Sequence, residues 1–304
     1  MLATAVAIAP LMAASGAMAE VVISTARTTP ITTANATGSG PDSIRMASGG
    51  SITLNSGVAV TVNSSHGFDM DSGSSITMAN AANGATGVLV NGGNTANVTI
   101  GGTISITDNI TSETDVDTDN DGDGDGPFAN GSGRHGVHLA GGAPLTGNVV
   151  VESTATITVD GNDSYGVLVE APLAGDLDML GRVTMTGDDS YGVRILGDVS
   201  GDVKMAGSVT AKGADSTAVS VEGDVGGALV IHSNIAASGY RYTTRPGDRP
   251  EGFTETSDNE QSLMFLDELD ADDLLQGGAA LSLQGDVAGG VVLDRGPTYS
   301  GGIE

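Results

Sequence analysis

Apolar and polar residues alternate along short stretches of this chain. In Gly192-Val-Arg-Ile-Leu196, Val193 and Ile195 flank Arg194, and in Gly201-Asp-Val-Lys-Met205, Val203 and Met205 alternate with Asp202 and Lys204. A period of two sends one set of side chains inward and the other to solvent, which is the signature of a strand. Glycine, aspartate and serine cut the alternation into pieces of about four to six residues, predicting about three short strands per unit joined by tight corners. The repeat region carries no long helical period.

These strands recur on a fixed beat. Asp163-Ser-Tyr-Gly-Val167 returns 26 residues on as Asp189-Ser-Tyr-Gly-Val193 and, with substitutions, as Asp215-Ser-Thr-Ala-Val219. Gly175-Asp-Leu-Asp-Met179, Gly201-Asp-Val-Lys-Met205 and Gly227-Ala-Leu-Val-Ile231 keep the same phase. Such a period marks a solenoid, in which each unit buries its apolar face against its neighbours. Strands of one unit then pair in parallel with those of the next, about 4.8 Å apart, so the expected fold is an all-β parallel β-helix of roughly ten rungs.

The departures from the beat are insertions. Gly197-Asp-Val199 recurs at Gly223-Asp-Val225 after 26 residues, but the next copy, Gly285-Asp-Val287, lies 62 further on, one unit plus 36. The added segment is read as residues 240–276. Gly87-Val-Leu-Val90 precedes Gly136-Val-His-Leu139 by 49 residues, which places a second insert at about 111–135, and Gly166-Val-Leu-Val169 follows Gly136 by 30. Ser51-Ile-Thr-Leu54, Val58-Ala-Val-Thr-Val62 and Gly67-Phe-Asp-Met70 read as degenerate rungs.

Composition narrows the class. Forty-seven glycines, no tryptophan and 3% aromatics suit a narrow helix with glycine corners and an interior of aliphatic residues and methionine. The absence of cysteine excludes a disulfide framework and thiol chemistry. A formal net charge of −27 with 11 basic residues argues against nucleic acid or anionic lipid as a partner. The run Met1 to Met12 followed by Ala17-Met-Ala19 reads as a secretory signal peptide over residues 1–19, cut before Glu20 and exported through the Sec pathway. No Lys or Arg precedes Arg27, so a start further upstream is expected. No later stretch is long and apolar enough for a transmembrane helix.

With these features, Leu269-Asp-Ala-Asp-Asp-Leu-Leu-Gln-Gly-Gly278 and Gly285-Asp-Val-Ala-Gly-Gly-Val291 resemble the passenger region of Gram-negative autotransporters (type V secretion), over about residues 20–304. The resemblance implies a right-handed β-helix displayed at the cell surface or released. It also implies a C-terminal β-barrel translocator as partner, with an unidentified surface or matrix ligand. A barrel needs many alternating segments with aromatic girdles. Five Tyr and four Phe do not supply them, so the chain is expected to be an N-terminal piece lacking the barrel.

Several residues carry candidate chemistry. Asp117, Asp119 and Asp121 followed by Gly122 match D-x-D-x-D-G, the first half of a calcium loop, and Asp123 and Asp125 extend the oxygen donors. Phe128 stands where a bidentate Glu belongs, so weak Ca²⁺ binding is expected, against the simpler reading of a solvated acidic loop. Asp163, Asp189 and Asp215 fall in register about 5 Å apart, which suits either a glycosidase pair or corners that cap their own backbone. Tyr165 and Tyr191 are placed to stack as an aromatic ladder or to offer a sugar platform. His135 and His138 lack a third zinc ligand. The expected function is a structural or adhesive passenger without catalysis. The alternative is a carbohydrate-active β-helix enzyme.

Overall fold

In the computed structural model the protein is a three-faced parallel β-solenoid, described over residues 20–110, 128–238, 247–254, 265, 278–294 and 302–303. The first face stacks nine strands from Val21–Ile23 to Val291–Leu293. The second stacks nine from Ala26–Arg27 to Gly302–Ile303, and the third eight from Ile31–Thr32 to Leu281–Leu283. Among the described residues, eight three-stranded turns and two strands of a ninth thus stand where about ten were expected. The only helical element among the described residues is a 3₁₀ turn at Thr33–Asn35.

Alternation places the core as expected. Val203 sits between Leu177 and Leu229 in the first face, Met205 lies between Met179 and Ile231, and all six are buried. Lys204 between them points outward, level with Asp178. Aliphatic and methionine side chains from every turn merge into one continuous interior column. Each turn therefore buries its apolar face only against its two neighbours, the condition that defines a solenoid.

The interrupted beats reappear as pairings. Val199 bridges Val225, and Val225 bridges Val287 across the 62-residue step. Val88 pairs with Val137, and Val137 with Val167. The early turns read as degenerate are full rungs, with Ile44 level with Phe68, Ile52 with Ile76 and Val60 with Val88. Insertions leave through corners, so strand register is unaffected.

One feature of the third face departs from strict alternation. In the four successive turns from His135 to Val221 its strand carries two successive buried residues, Gly136-Val137, Gly166-Val167, Gly192-Val193 and Ala218-Val219, as a bulge would. A Cβ at Gly166 would lie 2.4 Å from Val183 Cγ1 and 2.5 Å from the Gly192 carbonyl oxygen, so glycine is needed for this close approach. The extra buried position brings residues three apart in sequence to the same outer surface.

Candidate functional site

The in-register carboxylates were the first catalytic candidates, and the structure gives them a backbone role. Asp163, Asp189 and Asp215 adopt φ of 47°, 52° and 52°, the left-handed region that Asp tolerates better than most residues, and all three are exposed. The capping falls to their neighbours and acts between turns. Asn162 Oδ1 accepts the Asp188 N–H at 2.9 Å, and Asp188 Oδ1 accepts that of Ala214 at 2.9 Å. A second corner runs Asn97, Asn148, Asp176, Asp202, each side-chain oxygen accepting an N–H of the next turn and the last accepting from Ala228. Asp198 accepts from Asp224, and Asp224 from Asp286. Ser164, Ser190 and Ser216 form a buried ladder in which each hydroxyl oxygen accepts the N–H of the turn before, from Arg134, Ser164 and Ser190. These carboxylates and hydroxyls satisfy corner donors that no strand pairs.

The densest chemistry among the described residues lies on the outer surface of the third face. His138, His135, Tyr165 and Tyr191 form one stack, with successive ring centroids 4.5, 5.2 and 5.7 Å apart and planes within 13°. The Arg194 guanidinium lies 4.4 Å from the Tyr191 ring centre. Arg194 also grips Glu222 through Nε to Oε1 at 2.7 Å and a second nitrogen to Oε2 at 3.2 Å. His138 Nε2 lies 2.9 Å from Glu170 Oε2. Tyr165 and Tyr191 therefore stack as a ladder. Ring faces covered by neighbouring rings are closed to stacking against a sugar, and the ring edges are left for the solvent side.

Electrostatics bear on any acid–base reading of this strip. Hydrogen bonds from Arg194, aided by Ser220, hold the Glu222 carboxyl below its usual value despite burial, and the same contact raises Arg194. A general acid for glycoside cleavage needs a carboxyl raised toward neutrality. Glu222 is tuned the other way. Burial pushes His135 down to about 4, with the charge of His138 adding to the effect, and its Nδ1 is buried without a hydrogen-bond partner.

A third constellation closes the stem of the first insert. Arg134 and Asp108 form an ion pair, Nη1 to Oδ2 at 3.0 Å, whose side chains are 4% and 6% exposed. Arg134 also donates to the carbonyl oxygens of Asp160 at 2.6 Å and of Ala81. Asp108 Oδ2 accepts the N–H groups of Asn130 at 2.9 Å and Gly131 at 2.8 Å, and its Oδ1 that of Asn109 at 2.7 Å. Burial pushes the Asp108 carboxyl up, but the N–H groups of Gly131, Asn109 and Asn130 and the guanidinium outweigh it and hold it below its ordinary value. Arg134 occupies the position that Ser164, Ser190 and Ser216 take in later turns, one residue before His135.

Among the sequence-derived site residues, the calcium candidates Asp117, Asp119, Asp121, Asp123 and Asp125 lie outside the described residues. Among the described residues no cluster of three or more His, Asp or Glu is arranged to hold a metal ion. The sequence reading passed over Glu170, Arg194 and Glu222 and gave Arg134 no role. Column counting could have found the pairs, since 138, 168, 194 and 220 share one register and lie beside Glu170 and Glu222.

The fold defines the class as a parallel β-solenoid. No helix among the described residues is long and apolar enough to cross a membrane. Comparison of the chain with protein-family models, with curated proteins and with solved structures finds no match.

Proposed function

We propose that this chain is the passenger of an autotransporter, exported through the Sec pathway and displayed at or released from the cell surface as a structural or adhesive rod without catalytic activity. The observation that supports this reading most is the uniform, cysteine-free stacking of turns that each contact only their neighbours. Such a chain can cross a membrane unfolded and re-form turn by turn, with no disulfide to close beforehand. A net charge of −27 favours a solvated surface rod. The partner of this reading is a C-terminal β-barrel translocator, and the ligand is a surface or matrix component.

When residues 1–304 are joined ahead of an outer-membrane β-barrel translocator in a Gram-negative host, residues 20–304 are expected to reach the outer surface. They would be cleaved by protease added to intact cells and would confer attachment to cells or matrix. Retention in the periplasm, or display without attachment, overturns the corresponding half of the proposal.

The second reading, a carbohydrate-active enzyme, draws support from the Tyr, His, Arg and Glu strip of the third face. Polysaccharide cleavage by the purified chain, abolished by Glu170→Gln or Glu222→Gln, would favour it. The lowered Glu222 carboxyl weighs against it.

Weak calcium binding in the first insert belongs to the same proposal and rests on the D-x-D-x-D-G register alone. Three carboxylates at alternate positions can converge on one hard cation, and without a bidentate Glu the Kd is expected on the order of 10⁻⁴ to 10⁻³ M. Calorimetry with millimolar Ca²⁺ should give a binding isotherm for the natural chain and none for Asp119→Ala/Asp121→Ala. Matching traces for the two proteins would leave the loop a solvated acidic spacer.

A further inference from the structure

We propose that the stacked imidazoles of His135 and His138 make the strand His135–Ala140 an acid-sensitive joint, closed at neutral pH and loosened when the rings take up protons. The strand follows directly on the stem of the first insert, so the joint would couple acidification to the anchoring of that insert.

Geometry carries the argument. The two rings lie parallel, 4.5 Å apart and within 10°, so a proton on both sets two cations face to face. His135 Nδ1 is buried with no hydrogen-bond partner, and the Gly133 backbone favours a proton on the ring by less than burial opposes it. On its other side the His135 ring meets Tyr165, which offers a neutral face. Other turns place no titrating ring near neutrality at these two columns. They carry Thr86 with Leu89, Tyr165 with Leu168, and Tyr191 with Arg194.

The surrounding charged groups do not cancel this. From the preceding turn the strand meets Thr86 and Leu89, which do not titrate. The following turn brings Tyr165 and Glu170. Glu170 favours protonation of His135, but it is 51% exposed and engaged with His138. At the adjoining corner Arg134 is held by Asp108 and by the Asp160 carbonyl oxygen.

The direction follows from linkage. His135 in the closed form titrates at about 4, against an ordinary value of 6.5. The open form therefore binds the proton first. Closure has its full advantage above pH 6.5, loses it as pH falls toward 4, and changes little below that. The gap corresponds to a roughly 300-fold rise in the opening constant over the whole window, and to about 60-fold between pH 7 and 4.5.

Hydrogen exchange of the whole chain, corrected for intrinsic rates, reads this directly. Between pH 7 and 4.5 the amides of His135–Ala140 and Tyr165–Val169 should open about 60-fold more, while Tyr191–Ile195 stays unchanged. His135→Tyr restores the residue found at 165 and 191, keeps the stack and should abolish the pH response. His138→Leu, matching Leu168, should shrink it. Equal responses in the natural chain and His135→Tyr, or equal opening at Tyr191–Ile195, overturn the proposal. Should His135→Tyr fail to fold, an NMR titration placing the natural His135 ring at 6.5 or above overturns it equally.

Discussion

Val203→Asp is expected to destabilise the rod by about 4 kcal/mol or more, because it puts an unpaired carboxylate into an aliphatic column with no donor in reach. Val203 is 0% exposed and lies between Leu177 and Leu229. Neither neighbour can solvate a charge. The control is the adjacent outward position, where Lys204→Ser should change stability by less than about 0.5 kcal/mol. Aspartate is a poorer control there, since Lys204 stands level with Asp178 and like charges on paired strands repel. Urea unfolding followed by circular dichroism measures both variants. Equal losses would mean that the strand register is wrong.

Arg134→Met is expected to cost about 3–5 kcal/mol, the range for stranding one partner of a buried ion pair. The substitution keeps most of the aliphatic volume but leaves the Asp108 carboxylate, 6% exposed, without its cation. It also leaves the carbonyl oxygens of Asp160 and Ala81 without their donor. Arg134→Met/Asp108→Asn should recover part of the loss, and the cycle of single and double variants isolates the pair's own coupling. The pH dependence has a definite sign. The folded Asp108 carboxyl sits below its ordinary 3.8, so the stabilisation is in place above about that pH and is lost as pH falls through the lower folded value. Thermal unfolding of the natural chain should therefore show this acid loss and Arg134→Met a smaller one. Identical profiles would show that the clip does not stabilise the fold.

The two experiments probe different layers of legibility. Alternation with Asp202 and Lys204 points Val203 inward, and the structure buries it. Arg134 could not be assigned. It stands in sequence beside an acidic segment, which suggests a surface charge, yet its guanidinium enters a corner built from Ala81, Asp108 and Asp160, residues 26 to 53 positions away. The aspartates show the same limit by one position. The repeat drew attention to Asp163, Asp189 and Asp215, which supply left-handed backbone, whereas the side chains that cap the next turn belong to residues such as Asn162 and Asp188.

The sequence by itself determined the solenoid, its parallel pairing and the register of its turns. All of these follow from periodicity, because a solenoid turn meets only the turns before and after it, and the spacing of like residues along the chain is then the spacing of contacts in space. The tertiary structure alone decided which side chains meet on the outer surface. The doubled buried pair Gly136-Val137 and its equivalents reverse the alternation once per turn, so His135 joins His138, and Tyr191 joins Arg194, on one strip where strict alternation would have put them on opposite sides. That reversal depends on a small residue, glycine or alanine, at the first buried position, where one strand closely approaches the next, a packing distance that no periodicity encodes.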